Sequence, residues 1–390
     1  MNFDIVIVGA GPSGLCFAQA LADSGLLTAV IERQFEDALA SPAFDGREIA
    51  LTHHSAQLMQ TLGLWQRINQ EAISPLRDAR VLNGSSLYAM QIDHRDSQQN
   101  ELGYLISNCL IRKAAFEAVK ASANITLLTN AEIIQVSTDS KGGYLRLANG
   151  TLIEAQLIVA ADSRFSETRR AMGIAVSMHD FGKTMMVCVM EHEVSHQHVA
   201  WEWFDYHQTL ALLPMNGMRS SVVITLPAHD IKRLMTMPEE DFNHAVEARF
   251  KHRLGAMRLV STRHAYPLVT VYADRFVAPR FALVGDAAVG MHPVTAHGFN
   301  FGLRSAASLA HEINTAHTRG GDIASASLLA RYEKTHKRAT RPLFAATHVI
   351  AKLYSNNALP ARLIRRASLH IGNRISPFKR AVAHMLTEAN

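Results

Sequence analysis

The sequence is poor in cysteine: Cys16, Cys109 and Cys188 are scattered over 390 positions. Such spacing excludes a disulfide framework and a C-x-x-C metal site, so we expect core thiols in a reducing compartment. The chain also lacks any run of the roughly 18 apolar residues that a membrane-spanning helix requires. Zinc-ligand spacing, a P-loop and a G-x-S-x-G nucleophile elbow are missing too. The sequence therefore predicts no metal site.

The first twenty residues are apolar, yet they do not form an export signal. They have no basic stretch, and Asp4 and the break at residues 9–12 interrupt what should be an apolar core. We therefore expect a cytoplasmic protein. With 48% hydrophobic and 19% charged residues, the chain has ordinary globular composition, and its length is sufficient for two domains.

A glycine motif occupies the start of the chain. The β-branched run of residues 4–8 predicts a buried strand, a helical pattern continues to about Leu26, and residues 28–31 predict a second strand. Between the first strand and the helix lies G-x-G-x-x-G, formed by Gly9, Gly11 and Gly14. These glycines allow a tight turn, the approach of a pyrophosphate to the backbone, and close helix packing. Glu32, after the second strand, can accept the hydroxyls of an adenosine ribose, so we predict dinucleotide binding.

Two further segments place an aspartate just after an apolar strand. Asp162 follows the run 157–160, and Asp286 follows the run 281–284. An aspartate at the end of a buried strand can bond to a ribityl hydroxyl. Downstream, a helix begins near Gly298, and its free N–H groups would stabilise the negative charge that reduced flavin carries.

The remaining pattern predicts an α/β protein with discontinuous domains. Asn149-Gly150 suits a hairpin turn, residues 183–226 alternate as sheet strands do, and most of 325–390 has a helical pattern. We predict a Rossmann-like FAD-binding domain, a β-rich inserted substrate domain and a basic helical carboxyl-terminal region. Their ranges are 1–75 with 97–165 and 270–330, then 76–96 with 166–269, and finally 331–390.

Taken with these motifs, the sequence resembles the class A flavoprotein monooxygenases, and within them the UbiH-like hydroxylases of ubiquinone biosynthesis. The similarity covers essentially residues 1–345 and includes the segments 46–51, 62–65 and 212–214. The resemblance implies a cofactor site that contains Gly9, Gly11, Gly14, Glu32, Arg33, Arg47, Asp162, Asp286, Gly298 and Asn300. It also places Arg47 beside the flavin or the substrate, as a candidate catalytic residue; the alternative is a surface arginine.

The chain departs from the family pattern at two positions. Ser163 stands where a glycine usually follows the middle aspartate, in a loop that normally lies over the FAD pyrophosphate and the NAD(P)H path. His297 replaces a glutamine expected close to the flavin ring. We take His297 as a second candidate catalytic residue, an imidazole that could accept a phenol proton; the alternative is a spacer that shapes the pocket. The UbiM-like subgroup, whose members act at more than one ring position, is a branch to which these departures could belong.

The resemblance implies a function that uses FAD, NAD(P)H and O₂. A flavin C4a-hydroperoxide would deliver one oxygen atom to the ring of a polyprenylated phenol or quinol in ubiquinone biosynthesis. Two alternatives remain: a flavoenzyme that reduces an isoprenoid or quinone double bond, and a non-catalytic flavoprotein of the ubiquinone-biosynthesis assembly.

Charge is concentrated at the carboxyl-terminal end. Residues 331–390 carry a formal charge of +10, whereas the preceding residues carry −5. Basic clusters at 331–341 and 362–366 alternate with apolar residues, and a basic helix with an apolar side is typical of segments that bind an anionic membrane. A peripheral position at the inner face of the membrane would also suit an insoluble polyprenyl substrate. The alternative is that the apolar side packs on the body or on a second subunit. Nucleic acid is not expected, because no binding motif accompanies the charge.

Overall fold

The computed structural model describes residues 1–84, 89–97, 99–205, 207–295 and 297–355. The helices that it describes are α1 (Pro12–Gln19), α2 (Glu36–Ala40), α3 (His53–Thr61), α4 (Asn108–Lys120), α5 (Glu167–Ala171), α6 (Ala228–Thr236), α7 (Glu239–Arg249), α8 (Gly298–Thr318) and α9 (Ala326–Ser355). The strands are β1 (Asn2–Val8), β2 (Thr28–Ile31), β3 (Glu48–Leu51), β4 (Ser74–Leu76), β5 (Asp78–Asn83), β6 (Ala89–Ile92), β7 (Gly103–Ser107), β8 (Ile125–Leu128), β9 (Ile133–Thr138), β10 (Gly143–Leu147), β11 (Leu152–Ala160), β12 (Val176–His192), β13 (Val199–Phe204), β14 (Thr209–Pro214), β15 (Arg219–Pro227), β16 (Met257–Leu259), β17 (His264–Ala273), β18 (Val277–Ala278), β19 (Phe281–Leu283) and β20 (Val289–Gly290).

A parallel sheet forms the centre of the first core. Its strands follow the order β19-β11-β1-β2-β8, and all four neighbouring pairs are parallel. The β-branched runs predicted as strands are buried on both faces, as expected where helices cover a parallel sheet. An antiparallel extension, β9-β10, continues from β11, and the predicted turn at Asn149-Gly150 joins β10 to β11. The Rossmann-like prediction is confirmed.

The glycine-motif helix is shorter than its sequence pattern predicted. We expected a helix to about Leu26, but α1 ends at Gln19. The Ser24 hydroxyl and the Asn124 amide both donate to the Leu21 carbonyl, and Asn124 also donates to the Leu26 carbonyl. Side chains thus satisfy the Leu21 carbonyl, which a longer helix would have bonded internally.

A second sheet has two faces of different character. Its order is β20-β17-β12-β15-β14-β13-β5-β6, with β16 beside β12. Alternate residues such as Met186, Trp203, Leu212 and Ile224 point to one face and pack with the helices α6 and α7 in a core of their own. The residues between them point to the opposite face, which neither helix covers.

The long helix α9 packs one stripe against the first core. Tyr332 is fully buried, and its hydroxyl donates to the Leu283 carbonyl of β19 at 2.6 Å. His336, Thr340, Thr347 and Ala351 continue the buried stripe. This stripe of the helix therefore packs on the protein body, which was one of the two alternatives for the basic region. Residues 356–390, the rest of that region, lie outside the described part of the chain. No helix among the described residues is long and apolar enough to cross a membrane.

The predicted domain ranges remain a proposal. Most strands of the second sheet lie in the two ranges assigned to the substrate domain, but the boundary between 269 and 270 lies inside β17, and β20 pairs with β17. Of the three cysteines expected in the core, Cys16 and Cys188 are buried and Cys109 is only half-buried, and all three are free thiols.

Candidate active site

A large cleft lies between the two sheets. It is about 1560 Å³ in volume and is lined by the carboxyl ends of the parallel strands, the segment 46–50 and the uncovered face of the second sheet. Typical sites for one small ligand are about 300–1,000 Å³. The cleft therefore has room for a long cofactor and for a substrate beside it.

The strand register brings the predicted motifs together at this cleft. Val8 aligns with Ile31 on one side and with Ala160 on the other, and Ala160 aligns with Leu283. Because these strands are parallel, the residues that follow them lie at one edge of the sheet. Three separate sequence segments thus meet. Of the residues predicted to bind the cofactor, these segments bring Gly9, Gly11, Glu32, Arg33, Asp162 and Asp286 to the cleft lining.

The three motif glycines are required for three different reasons. Gly9 has φ +104°, where glycine is favoured, and a Cβ there would lie 2.8 Å from the Ala161 carbonyl oxygen. A Cβ on Gly14 would collide with the Gly9 carbonyl oxygen, so Gly14 permits α1 to pack on the strand turn. Gly11 has an ordinary φ of −70°, and a Cβ there would meet no atom within 4 Å. No contact within the described part of the chain requires glycine at position 11, so the backbone there is open to the approach of a ligand.

Glu32 anchors the turn from which a ribose would be bound. Its carboxylate accepts the N–H of Ala10 at 2.8 Å and the N–H of Gln34 at 3.0 Å. Each carboxylate oxygen can accept a second hydrogen bond, so Glu32 keeps acceptor capacity on the cleft side. Arg33 is exposed on the lining beside it.

The loop after β11 is strained. Ser163 has φ +117°, a conformation that L-residues with a Cβ adopt rarely. This is the position at which the family pattern usually has glycine. Asp162 accepts the Thr168 N–H at 3.1 Å with one oxygen, and its other oxygen is buried with no hydrogen-bond partner among the described residues.

An arginine links the second and third motifs. Arg164 donates two hydrogen bonds to one oxygen of Asp286, at 2.8 and 3.2 Å, and a third to the Val269 carbonyl at 2.9 Å. Arg169, fully buried, donates to the carbonyls of Arg164 and Ala287. Neither arginine was selected from the sequence. Arg164 lies within the second motif, but its partner is 122 positions away, so only the strand topology reveals the pair.

The start of α8 places the three residues predicted there differently. Gly298 lines the cleft, and a Cβ there would meet no atom within 4 Å. The side chain of His297 is 1% exposed, packs on Phe301 and does not belong to the cleft lining. Asn300 is also buried: it donates to the Ala50 carbonyl at 2.8 Å and accepts the Thr52 N–H at 3.2 Å. This placement favours the spacer alternative for His297, and it makes Asn300 a tie between α8 and β3.

Arg47 lies at the junction of the two sheets. Its guanidinium pairs with Asp45 at 2.6 Å and lies over the Tyr266 ring, 5.5 Å from the centroid. Burial alone would raise the pKa of Asp45, but the hydrogen bonds and charge of Arg47, with the Asn108 amide, outweigh it and lower that pKa. Burial alone would lower the pKa of Arg47. The hydrogen bond and the negative charge of Asp45 outweigh this effect, so the pKa of Arg47 is raised. Arg47 is therefore a paired cation on the cleft wall, although 44% of its side chain remains exposed.

Two carboxyls of the cleft lining were not found from the sequence. Burial raises the pKa of Glu48 to about 7, with Asp45 adding to the effect and the Ser107 hydroxyl opposing it. Burial alone raises the pKa of Glu202 to about 8. A glutamate that interrupts an apolar face of an alternating strand is a weak indication of a functional residue. The sequence does not show, however, which face of the strand lines the cleft.

One group of possible metal ligands occurs among the described residues, away from the cleft. Oxygen and nitrogen atoms of Asp78, Asp93 and His94 lie within 4.8 Å of one another. Arg77 pairs with Asp78 and Arg95 with Asp93, so arginines already balance the carboxylate charges. The group is explained as an ion-pair cluster.

Comparisons with known proteins identify relatives along the whole chain. A family model described as an FAD-binding domain matches residues 2–347. The ubiquinone hydroxylase UbiM of Neisseria meningitidis is 46% identical, with 99% of this chain and 85% of that protein covered. The ubiquinone hydroxylase UbiL of Rhodospirillum rubrum is 36% identical, with 97% and 87% covered.

Solved structures agree with the fold. The p-nitrophenol 4-monooxygenase PnpA of Pseudomonas putida superposes with a TM-score of 0.80 at 17% identity, covering 99% of this chain and 98% of that one. PqsL of Pseudomonas aeruginosa, described as a probable FAD-dependent monooxygenase, gives 0.78 at 18% identity, with 95% and 100% covered. At such identity the likeness establishes the fold alone.

The strained serine gives a stability prediction. Ser163→Gly should raise the free energy of unfolding by about 0.5–2 kcal/mol, because a backbone strain of roughly 1–3 kcal/mol is relieved and only part of the gain is lost to the greater freedom of the unfolded chain. Ser163→Ala is the matched control: it keeps the Cβ and should bring no gain. Urea denaturation of the apoprotein measures both, and a glycine variant no more stable than the alanine variant would contradict the strain.

Proposed function

We propose a reaction for this chain, which belongs to the FAD-binding domain family and is an FAD-dependent monooxygenase. It hydroxylates the aromatic ring of a polyprenylated phenol or quinol in ubiquinone biosynthesis, with NAD(P)H and O₂. The observation that carries the proposal is the composition of one cleft. Its first wall is the motif edge of the parallel sheet, and its second wall is a largely apolar sheet face. A dinucleotide and a hydrophobic ring substrate would lie against each other there.

The residues present fit FAD. The open space at Gly11 and the N-terminus of α1, which no side chain caps, suit a pyrophosphate. Glu32 would accept the ribose hydroxyls, and Asp286, held in place by Arg164, would accept from the ribityl chain. The open space at Gly298, at the uncapped start of α8, suits the negative charge of the reduced isoalloxazine ring. Arg33 and Asp162 complete the proposed set.

Bound FAD supplies the redox chemistry, namely the reduction by NAD(P)H and the activation of O₂. The chain supplies binding, orientation and the exclusion of water. The apolar residues of the second sheet, such as Met185, Leu213 and Val223, keep the ring substrate in a poorly hydrated space. Arg47, fixed by Asp45 and Tyr266, offers a cation at the junction where the ring and the cofactor would meet.

Cofactor retention tests the placement of FAD. Gly11→Val should reduce bound FAD at least tenfold, because the new side chain fills the space that the pyrophosphate needs, while the stability of the apoprotein should stay unchanged, since a Cβ there touches nothing. Glu32→Ala should also weaken retention through loss of the ribose acceptor. Flavin absorbance after gel filtration measures both. Full FAD content in both variants would show that the cofactor binds elsewhere.

Product analysis tests the reaction. With a short prenyl phenol, the holoenzyme should consume NAD(P)H and O₂ in step and release a ring-hydroxylated product that contains one atom of ¹⁸O from ¹⁸O₂. A product with a reduced double bond and no O₂ consumption would identify a reductase instead. Bound FAD that NAD(P)H does not reduce, even with the phenol present, would identify a non-catalytic flavoprotein. In a deletion strain, the accumulated quinone precursor would name the ring position.

We propose further that the outer face of α9 contacts an anionic membrane surface. Lys334, Arg338 and Arg341 are exposed and lie at helical spacing on one face, and Val349 on the same face is 64% exposed. Each basic residue near the headgroups contributes about 1 kcal/mol. Such a surface would let the enzyme collect a polyprenylated substrate from the bilayer.

Vesicle co-sedimentation tests the membrane proposal. The triple variant Lys334→Gln, Arg338→Gln, Arg341→Gln should bind anionic vesicles roughly 10²-fold more weakly than the unchanged protein at low salt. The control variant Lys113→Gln, Lys120→Gln, Lys141→Gln removes the same charge from other exposed positions and should retain binding. If the unchanged protein binds anionic vesicles no better than neutral ones, the helix serves for packing only.

A further inference from the structure

The side chain of Glu202 belongs to the face of the second sheet that lines the cleft. Strand pairing sets it in a row that crosses the sheet, with Val81 on one side and Ala211, Val223 and Val187 on the other. Of these residues, Ala211, Val223, Val187 and Glu202 all line the cleft. The neighbouring positions Trp201 and Trp203 point to the opposite face, into the α6–α7 core. Glu202 is therefore a carboxyl in the middle of an apolar wall.

The carboxylate of Glu202 has no partner among the described residues. Throughout the part of the chain that the structure describes, it forms no hydrogen bond and no ion pair, and its two Cα partners across the sheet, Val81 and Ala211, cannot ionise. A partly buried carboxyl without a partner lowers the stability of a fold, so stability does not explain its presence here. Its oxygen atoms are nevertheless not enclosed, because they are missing from the set of fully buried unbonded atoms within the described residues. The carboxyl is therefore open to the cleft.

The electrostatic surroundings keep Glu202 ready to exchange a proton near neutral pH. Burial raises its pKa to about 8, and no neighbouring charge or hydrogen bond contributes. Lys183 and Tyr266 share its sheet face but lie three and four strands away, at least about 14 and 19 Å at the usual strand spacing. The other ionisable residues of the cleft lining are Glu32, Arg33, Arg47, Glu48, Arg112, Glu132, Asp162, Arg164, Glu167, Arg170, Asp286 and His292.

We propose that Glu202 is a catalytic residue that accepts the proton of the substrate's ring hydroxyl. The inference rests on the proposed ring hydroxylation. The O–H bond of the phenol breaks, an O–H bond forms on the Glu202 carboxylate, and the electron pair stays on the phenol oxygen. The resulting phenolate is more electron-rich at its ring carbons and is a better acceptor of an electrophilic oxygen atom. The proton then leaves Glu202 for solvent when the cleft opens to product.

Two other groups could be assigned this role, and the structure makes each less suitable. His297 is enclosed by protein and does not reach the cleft. Glu48 lines the cleft, but one of its oxygen atoms is buried without a partner and Ser107 bonds to its carboxyl, so Glu48 is held against β7 rather than presented to the apolar wall. Only Glu202 lies among the side chains that would surround a hydrophobic ring.

The experiment compares pH profiles of kcat for the holoenzyme with a short prenyl phenol. For the unchanged protein, kcat should rise as pH increases through about 8, because only the ionised carboxylate accepts a proton and ionisation is favoured above the pKa. In Glu202→Gln, kcat should fall by about 10²-fold at pH 9, and the rise should move towards the pKa of the free phenol, near 10. A phenol carrying an electron-withdrawing group, already ionised at pH 8, should restore most of the lost rate.

Four variants make the result decisive. Glu202→Asp keeps a carboxylate and should retain a rise near pH 8, whereas Glu240→Gln, on α7 behind the sheet, should behave as the unchanged protein. His297→Gln and Glu48→Gln test the two competing groups. Ultraviolet difference spectra should show phenolate on binding to the unchanged holoenzyme at pH 8 and none on binding to Glu202→Gln. FAD content and melting temperature of Glu202→Gln should match those of the unchanged protein, since a neutral amide is easier to bury than a carboxylate.

The outcomes separate the inference from the function beneath it. If Glu202→Gln keeps both its rate and its rise near pH 8, or if His297→Gln or Glu48→Gln abolishes that rise instead, the proton acceptor is not Glu202. If the unchanged holoenzyme forms no hydroxylated ring at any pH, the proposed function itself fails.

Discussion

The parallel pairing of β19, β11, β1 and β2 is the constraint on which the rest of the structure depends. The backbone hydrogen bonds of these strands fix Val8, Ile31, Ala160 and Leu283 at one level. Every chain segment that leaves this edge must then turn sharply beside its neighbours. The positive φ at Gly9, the missing Cβ at Gly14 and the strained Ser163 are consequences of that crowding. A binding edge with free N–H groups results, because the turns leave backbone donors unpaired at the starts of helices.

Ion pairs and arginine contacts hold these turns in place. Arg164 joins the β11 turn to the β19 turn through Asp286, and Arg169 bonds to carbonyls of both segments from below. On the opposite wall, Arg47 is fixed between Asp45 and Tyr266, so that the segment before β3 stays against the second sheet. The residues at these turns are thereby held by several hydrogen bonds each, which limits their motion before any ligand binds.

The second sheet divides its work between two faces. The face with Trp203, Leu212 and Ile224 packs on α6 and α7 and stabilises the sheet, so the opposite face is free to remain open. An open apolar face would normally invite association or collapse. Here the edge of the parallel sheet lies opposite this apolar face, and the space between the two is the cleft. A carboxyl such as Glu202 can persist in that wall because it faces a water-accessible space and not the core.

Much of the site was readable from the sequence because local patterns carry it. Glycine spacing after a β-branched run, an acid after the next strand and aspartates after two later strands all reflect short-range geometry, and the structure brings those residues to one cleft. Local patterns erred where side chains from elsewhere intervened, as when Asn124 and Ser24 ended α1 early. Local patterns also did not predict which residues face the cleft. His297 and Gly298 are adjacent, yet His297 is enclosed by protein and Gly298 lines the cleft.

The sequence by itself determined the fold class, the cofactor and the residues whose backbone requirements are local. Only the tertiary structure decided which distant groups meet: the Arg164–Asp286 pair, the tie from Asn300 to β3, and the exposure of Glu202 to the cleft. The physical reason is that strand and helix patterns depend on neighbours within a few residues, whereas pairings and pKa shifts depend on which surfaces pack together. Such packing is set by the register of whole sheets, and no single segment contains that information.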